Sequence, residues 1–344
     1  MKGSTILARR NIWLLFVLAL VSAPGRVVGR DWIKQKSGTL SWLYGVHFLD
    51  AQEGWAVGSQ GTVLHTKDGG ATWDNLRQAT LDTVRDVYFF NRNAGLLLCE
   101  RDLSQTGAAS YLLYTPNGGA AWERVELPDA GRERLLRFVF AGRERGWLIG
   151  EAGTFYETAD GGITWDKRTV PTRYLLLGGN LLDANTGWLA GAGGSLLATQ
   201  DGGLSWQSGQ FYNAAPRTRL MAVSFANGKR GWAVGADGQI FTTANGGRTW
   251  RAQSSGLADD LLDVRFVNAY DGWAIGDKGA MVSTKDGGFH WAVEDTTTTH
   301  RLEKLSFTDA AHGWAVGFGG TILAYGTGRE QDMTHAPRLH PATE

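Results

Sequence analysis

Apolar and polar residues alternate along short stretches of this chain rather than along helical faces. Leu43 to Phe48 is one such stretch, and the polar run Asp50-Ala51-Gln52-Glu53 follows it. Gly54-Trp55-Ala56-Val57-Gly58 and Thr62 to Thr66 come next, separated by Ser59-Gln60-Gly61. Brief alternating runs bounded by turn residues predict strands. The segment Thr66-Lys67-Asp68-Gly69-Gly70-Ala71-Thr72-Trp73 then predicts a tight turn feeding a fourth strand. Glycine supplies the positive φ such a turn needs, and aspartate bonds to the turn's own amides.

This unit repeats. Gly-Trp followed by apolar residues recurs at Gly146-Trp147, Gly187-Trp188, Gly231-Trp232, Gly272-Trp273 and Gly313-Trp314, with a decayed copy at Gly95-Leu96-Leu97-Leu98-Cys99. From Gly54 onward the glycines are 41, 51, 41, 44, 41 and 41 residues apart. Periods of about 40–50 residues holding several short strands predict a β-propeller, not a helical solenoid. The eight-residue turn returns around Asn117, Asp160, Asp201, Asn245 and Asp286, ending in Trp122, Trp165, Trp206, Trp250 and Trp291. That leaves six turns for seven units. The stretch after Trp32 matches the stretch after Trp250, while the last unit, from Leu302 to about Tyr325, lacks a fourth strand. The expectation is an all-β, seven-bladed propeller of four-stranded blades over residues 30–326. Its ring closes by an N-terminal strand joining the last blade, which leaves no open sheet edge there.

The Ser/Thr-x-Asp-Gly-Gly-x-Thr/Ser-Trp turns resemble Asp-boxes, or BNR repeats, of the kind found in sialidases, some glucanases and sortilin-type receptors. Together with Gly-Trp-Ala-Val-Gly and the 41-residue period, the pattern resembles the photosystem II stability/assembly factor-like propellers over about residues 31–325. That resemblance implies a non-enzymatic lumenal or periplasmic factor that helps to assemble or stabilise a membrane protein complex. The fold alone hosts many functions.

Composition narrows the rest. Lys+Arg 34 balances Asp+Glu 34, so no net positive charge favours nucleic acid as a partner. The single cysteine, Cys99, excludes an intramolecular disulfide framework and a zinc site built from cysteines. Lys2, Arg9 and Arg10 precede the apolar run Ile12 to Val21, which is short for a membrane span. With Val21-Ser22-Ala23 behind it, the segment 1–29 reads as a secretory signal cut near 23–29. The expected location is periplasmic or otherwise exported. Membrane association would come through a partner, without stable insertion once the signal is removed. Residues 327–344 read as a polar, disordered tail.

Asp68, Asn117, Asp160, Asp201, Asn245 and Asp286 read as structural. Each blade carries its own box residue, and groups spread around a ring cannot converge on one metal ion. No catalytic residue, cofactor or metal site is expected. The candidate chemistry lies on the opposite face. Aligning the units on Phe48, Phe89, Phe140, Phe225, Phe266 and Phe307, with Leu181 in the fourth, brings Arg134, Arg219 and Arg301 to one position. Arg173 and Arg217 fall two residues earlier in their units. Insertions around Arg101–Ser110 and Ser208–Arg217 fall on this face too. Guanidinium forks suit carboxylates, phosphates or acidic peptides. These arginines are therefore the candidate contacts for a membrane protein complex or its periplasmic or lumenal segments. Solvated pairing with Glu133, Asp259, Asp260 and Glu303 is the competing reading. A sialidase-like or other BNR-repeat glycosidase and a secreted carbohydrate-binding module remain alternatives, although the Arg-Ile-Pro segment of sialidases is missing. Partner identity and oligomeric state are not written in the repeats.

Overall fold

In the computed structural model, which describes residues 30–327 except 103, 105 and 213–218, the alternating runs form seven sheets. Each inner strand packs beside the next, and the last packs beside the first. Blades 1 to 6 span residues 43–75, 83–125, 135–168, 176–208, 220–254 and 261–293. Blade 7 joins 302–327 to the strand Arg30–Gln35. That strand runs antiparallel to Ile322–Thr327 with Ile33 opposite Ala324, so the ring closes as expected. Trp32 is buried against Phe307, Tyr325 and Trp273. The signal expected over 1–29, and residues 328–344 of the expected tail, lie outside the described residues.

Blade 5 departs from four strands. Gln210–Phe211 pairs in parallel with its outer strand Thr249–Ser254, placing Phe211 opposite Trp250. That outer strand has 6 residues, whereas those of blades 1, 4 and 6 have 2. A longer strand presents more unpaired edge, and the chain leaving blade 4 covers part of it. Phe211 seats on Phe241 at 5.1 Å.

The Gly-Trp pairs act between blades. Phe48, Phe225 and Phe266 each stack face to face on the tryptophan of the preceding blade, Trp314, Trp188 and Trp232, with centroids 3.4, 3.5 and 3.4 Å apart. Phe89 lies on Trp55 at 3.6 Å. The other face of each phenylalanine lies on the glycine of its own blade. A Cβ on Gly231 would sit 2.5 Å from the Phe225 ring, and that is why the position before tryptophan is glycine. The outer tryptophan meets the same ring edge-on, as Trp250 meets Phe225 at 5.8 Å and 90°. Trp32 does so to Phe307 at 5.9 Å and 87°. Where the motif decays, the packing shifts. With Leu96 in place of tryptophan, Phe140 stacks on Tyr88 instead, at 4.4 Å. With Leu181 in place of phenylalanine, Trp147 itself covers Gly187.

The Asp-boxes tie one face together. In blade 4, Thr199 Oγ1 donates to Asp201 Oδ1 at 2.7 Å and accepts from the Gly203 N–H at 2.9 Å. The Ser205 N–H donates to Asp201 Oδ1 at 2.8 Å. Those bonds, led by the Ser205 hydroxyl, pull the Asp201 carboxyl down to about 2. Each box also reaches the turn between the inner two strands of its blade, as Gly202 N–H does to Asn185 O. Trp188, Trp232 and Trp314 donate Nε1–H to the box glycines Gly246, Gly287 and Gly69 of the next blade. Blade 7 has no box, and Trp273 Nε1 is buried without a partner among the described residues.

Gly231→Ala is expected to cost about 1–3 kcal/mol through overpacking against Phe225. Gly228→Ala, with nothing nearer than Leu182 at 4.0 Å, should leave the thermal midpoint near that of the parent. Trp32→Ala should cost about 3–5 kcal/mol by emptying the closing seam, read out as a lower midpoint and earlier proteolysis at the N-terminal strand.

Candidate partner-binding face

The face opposite the Asp-boxes is built where each chain crossing enters an inner strand. There the carbonyls of Trp42, Arg134, Leu175, Arg219, Asp260 and Arg301 accept N–H bonds of 2.8–3.2 Å from Ser59, Glu151, Ala192, Ala236, Asp277 and Phe318. These shared bonds place Arg134, Arg219 and Arg301 at equivalent sites in blades 3, 5 and 7. Their side chains differ. Arg134 lies 3.3 Å from Glu100 and 3.0 Å from Glu151. Arg301 lies 3.0 Å from Asp277 and 2.8 Å from Glu303, and Glu303 also accepts from Trp42 Nε1–H. Arg173 and Arg219 are exposed and make no ion pair with another described residue. Arg217 lies outside the described residues.

The difference decides which arginines can bind at little cost. An acidic ligand at Arg134 or Arg301 must displace carboxylates already in place, while Arg173 and Arg219 have none in place among the described residues. The pairs at Arg134 and Arg301 are half-exposed and worth only about 0–1 kcal/mol each, so displacement is affordable but unfavourable. Of the competing acids, Asp259 takes Lys278 at 2.7 Å and Asp260 accepts the Asp237 N–H at 2.9 Å. Apolar side chains stand among these charges. Leu40, Leu81 and Tyr174 are 89%, 81% and 59% exposed, each in a crossing between blades. A cleft of about 370 Å³ is lined by Gln60, Leu81, Asp82, Glu100, Arg101 and Arg134.

The axial channel is the second polar region, a cavity of about 380 Å³ lined by all seven inner strands. An inner strand has one edge without a neighbour in its own sheet, and side chains of the preceding blade satisfy it. Phe48 N–H donates to Ser306 Oγ, Phe138 N–H to Asp86 Oδ2, and Phe225 N–H to Asn180 Oδ1. Phe266 N–H donates to Ser224 Oγ and Leu305 N–H to Asp263 Oδ2. His47 Nε2 donates to Phe89 O at 3.0 Å. Removal from water pushes the His47 imidazole down to about 4. Burial likewise pushes the Cys99 thiol up to about 12, so it offers no thiolate nucleophile.

With this geometry in hand, the family is decided by its repeats. The model of the photosynthesis system II assembly factor YCF48 family matches residues 26–132, 169–256 and 248–332. The chain belongs to that family. This YCF48-family chain is 25% identical over 116 residues to the chloroplastic photosystem II stability/assembly factor HCF136 of Oryza sativa subsp. japonica, covering 34% of this chain and 27% of that one. It is 34% identical over 88 residues to the photosystem II assembly protein Ycf48 of Thermosynechococcus vestitus, covering 25% and 23%. The matched segments thus span about a quarter of each relative. A structure of YCF48 bound to D1 peptide has a TM-score of 0.70 and 21% identity, covering 89% of this chain and 100% of that one. A GH74 xyloglucanase from Xanthomonas campestris has a TM-score of 0.60 and 16% identity, covering 86% and 53%. At these identities the likeness is one of fold.

Sequence reasoning found the arginine column and missed the channel. Asp86, Arg137, Asp263 and Lys304 interrupt alternating apolar strands three residues before the aligned phenylalanine, and Arg265 does so one residue before it. That signal is visible once the units are aligned on phenylalanine.

His47 gives the pH prediction. Between its ordinary value of 6.5 and about 4, the unfolded chain takes up a proton that the folded one refuses, so stability falls as pH falls through that window. His47→Gln should flatten the fall in denaturation midpoint between pH 6.5 and 4.

Proposed function

We propose that this YCF48-family propeller is an exported, non-enzymatic accessory factor that binds a segment of a membrane protein complex during its assembly or stabilisation. In its named relatives that complex is photosystem II. The observation that carries the reading is the pair Arg173 and Arg219, exposed on one face and without ionic partners among the described residues. Tyr174, 59% exposed, stands next to Arg173. Exposed guanidinium forks beside an aromatic ring suit an extended acidic peptide or a terminal carboxylate. The rigid ring holds them at fixed separation, so little ordering cost falls on the protein side. A periplasmic or lumenal setting accords with the basic-then-apolar N-terminal segment.

The arrangement offers little to hydrolysis. Asp86, Asp263 and Asp309, the carboxylates of the channel, hold backbone amides, and glycoside hydrolysis needs a free pair flanking the bond. Among the described residues no cluster of three His, Cys, Asp or Glu side chains is arranged to hold a metal.

The test is peptide binding by fluorescence anisotropy, using acidic lumenal segments of photosystem II subunits and their amidated counterparts. Arg173→Ala with Arg219→Ala should weaken binding at least tenfold, about 1.4 kcal/mol. Arg134→Ala should have a smaller effect, and affinity should fall with added salt. Affinity unchanged in the double variant would overturn the reading.

A further inference from the structure

The channel spends its acceptors on closing the ring. Each inner strand presents N–H groups at its free edge, and Asp86, Asp263, Asn180 and Ser306 accept them. Asp86 is used twice, its Oδ1 taking the Val87 N–H at 3.0 Å. Three cations line the same cavity, Arg137 from blade 3, Arg265 from blade 6 and Lys304 from blade 7. Among the described residues none of the three has a hydrogen bond or an ion pair within 4.0 Å. Lys304 is only 9% exposed. A buried ammonium without a partner is costly, and here it shares its cavity with two guanidiniums and the Asn180 amide, whose oxygen is already engaged. The cavity they share has a volume of about 380 Å³.

We propose that the axial channel is a binding site for a small oxyanion of phosphate or sulfate size, held by Arg137, Arg265 and Lys304. The lining carries three cations and three carboxylates; Asp86 and Asp263 hold backbone amides and Asp309 pairs with His312 at the exposed end of its strand, so Arg137, Arg265 and Lys304 keep no ion pair among the described residues. Inserted guanidinium and ammonium donors suit tetrahedral oxygens arranged around a centre. This site is separate from the peptide face, since its residues project into the channel and Arg173 and Arg219 do not line it.

Burial, with Arg137 next, pushes the Lys304 ammonium down to about 8, while Asp86 and Asp263 oppose and Arg265 adds to the fall. His47 on the neighbouring blade is neutral at pH 7, so Lys304 is the group that titrates above it. Binding of sulfate, whose charge is constant over this range, therefore weakens as pH rises from 7 to 9.

The test is isothermal titration of the full chain with sodium phosphate and, separately, sodium sulfate, in a chloride buffer at pH 7, alongside thermal melts. Saturable 1:1 binding that raises the melting midpoint is expected. Lys304→Met and Arg137→Gln should each weaken it at least tenfold, and Lys304→Met should also remove the pH dependence of sulfate binding between 7 and 9. Without anion, Lys304→Met should melt no lower than the parent, because a buried unpaired charge has gone; should it fail to fold, Arg265→Gln replaces it. The double variant Arg173→Ala with Arg219→Ala should bind phosphate as the parent does. Absence of saturable binding to either anion, or binding unmoved by the channel variants, overturns the proposal and leaves the peptide-face reading untouched.

Discussion

The structure rests on one repeated contact, a phenylalanine ring held between a bare glycine of its own blade and a tryptophan face of the blade before. Stacks at 3.4–3.6 Å recur at four seams. Each aromatic pair is worth about 0.5–1.5 kcal/mol beyond its buried area, and the geometry sets the distance and angle between neighbours. The requirement for glycine is steric, because a side chain there would occupy the ring's position. The two seams that lack one member keep the seal by different means. Phe140 turns to Tyr88, and Trp147 slides over Gly187. A ring of sheets thus tolerates loss of a motif residue when an aromatic group from an adjacent element fills the gap.

The two faces and the axis follow from that frame. On one face the Asp-box hydroxyls and carboxylates hold the turns, and carbonyls of the box glycines receive tryptophan N–H groups across three seams. On the axis the inner-strand edges take up carboxylate, amide and hydroxyl oxygens, and Arg137, Arg265 and Lys304 are left without ion pairs among the described residues. On the remaining face, loop carboxylates pair with Arg134 and Arg301 but do not reach Arg173 or Arg219. The distribution of unspent donors is therefore a consequence of how the ring is closed, and both binding proposals draw on it.

Family membership and the shared fold set the architecture, and the chemistry of the face is what the proposed ligand class draws on. The xyloglucanase shares the ring, as expected of an architecture that hosts unrelated chemistries. What separates a scaffold from a hydrolase in such a ring is the state of its carboxylates. Here those of the channel are bound to backbone amides, and Glu100, Glu151 and Glu303 of the crossings are bound to arginines.

Blade number, strand order and ring closure were legible from sequence because each depends on local spacing. The 41-residue period, the alternation and the match between the stretches after Trp32 and Trp250 are all short-range patterns. The equivalence of Arg134, Arg219 and Arg301 was legible for the same reason. Tertiary structure alone decided that Arg134 and Arg301 are ion-paired, since Glu100 and Asp277 arrive from neighbouring blades. It also decided that residues 210–211 extend blade 5, and that Arg137, Arg265 and Lys304 share one cavity. These outcomes depend on which side chains meet across seams, at separations of tens to hundreds of residues, and linear spacing carries no record of such meetings.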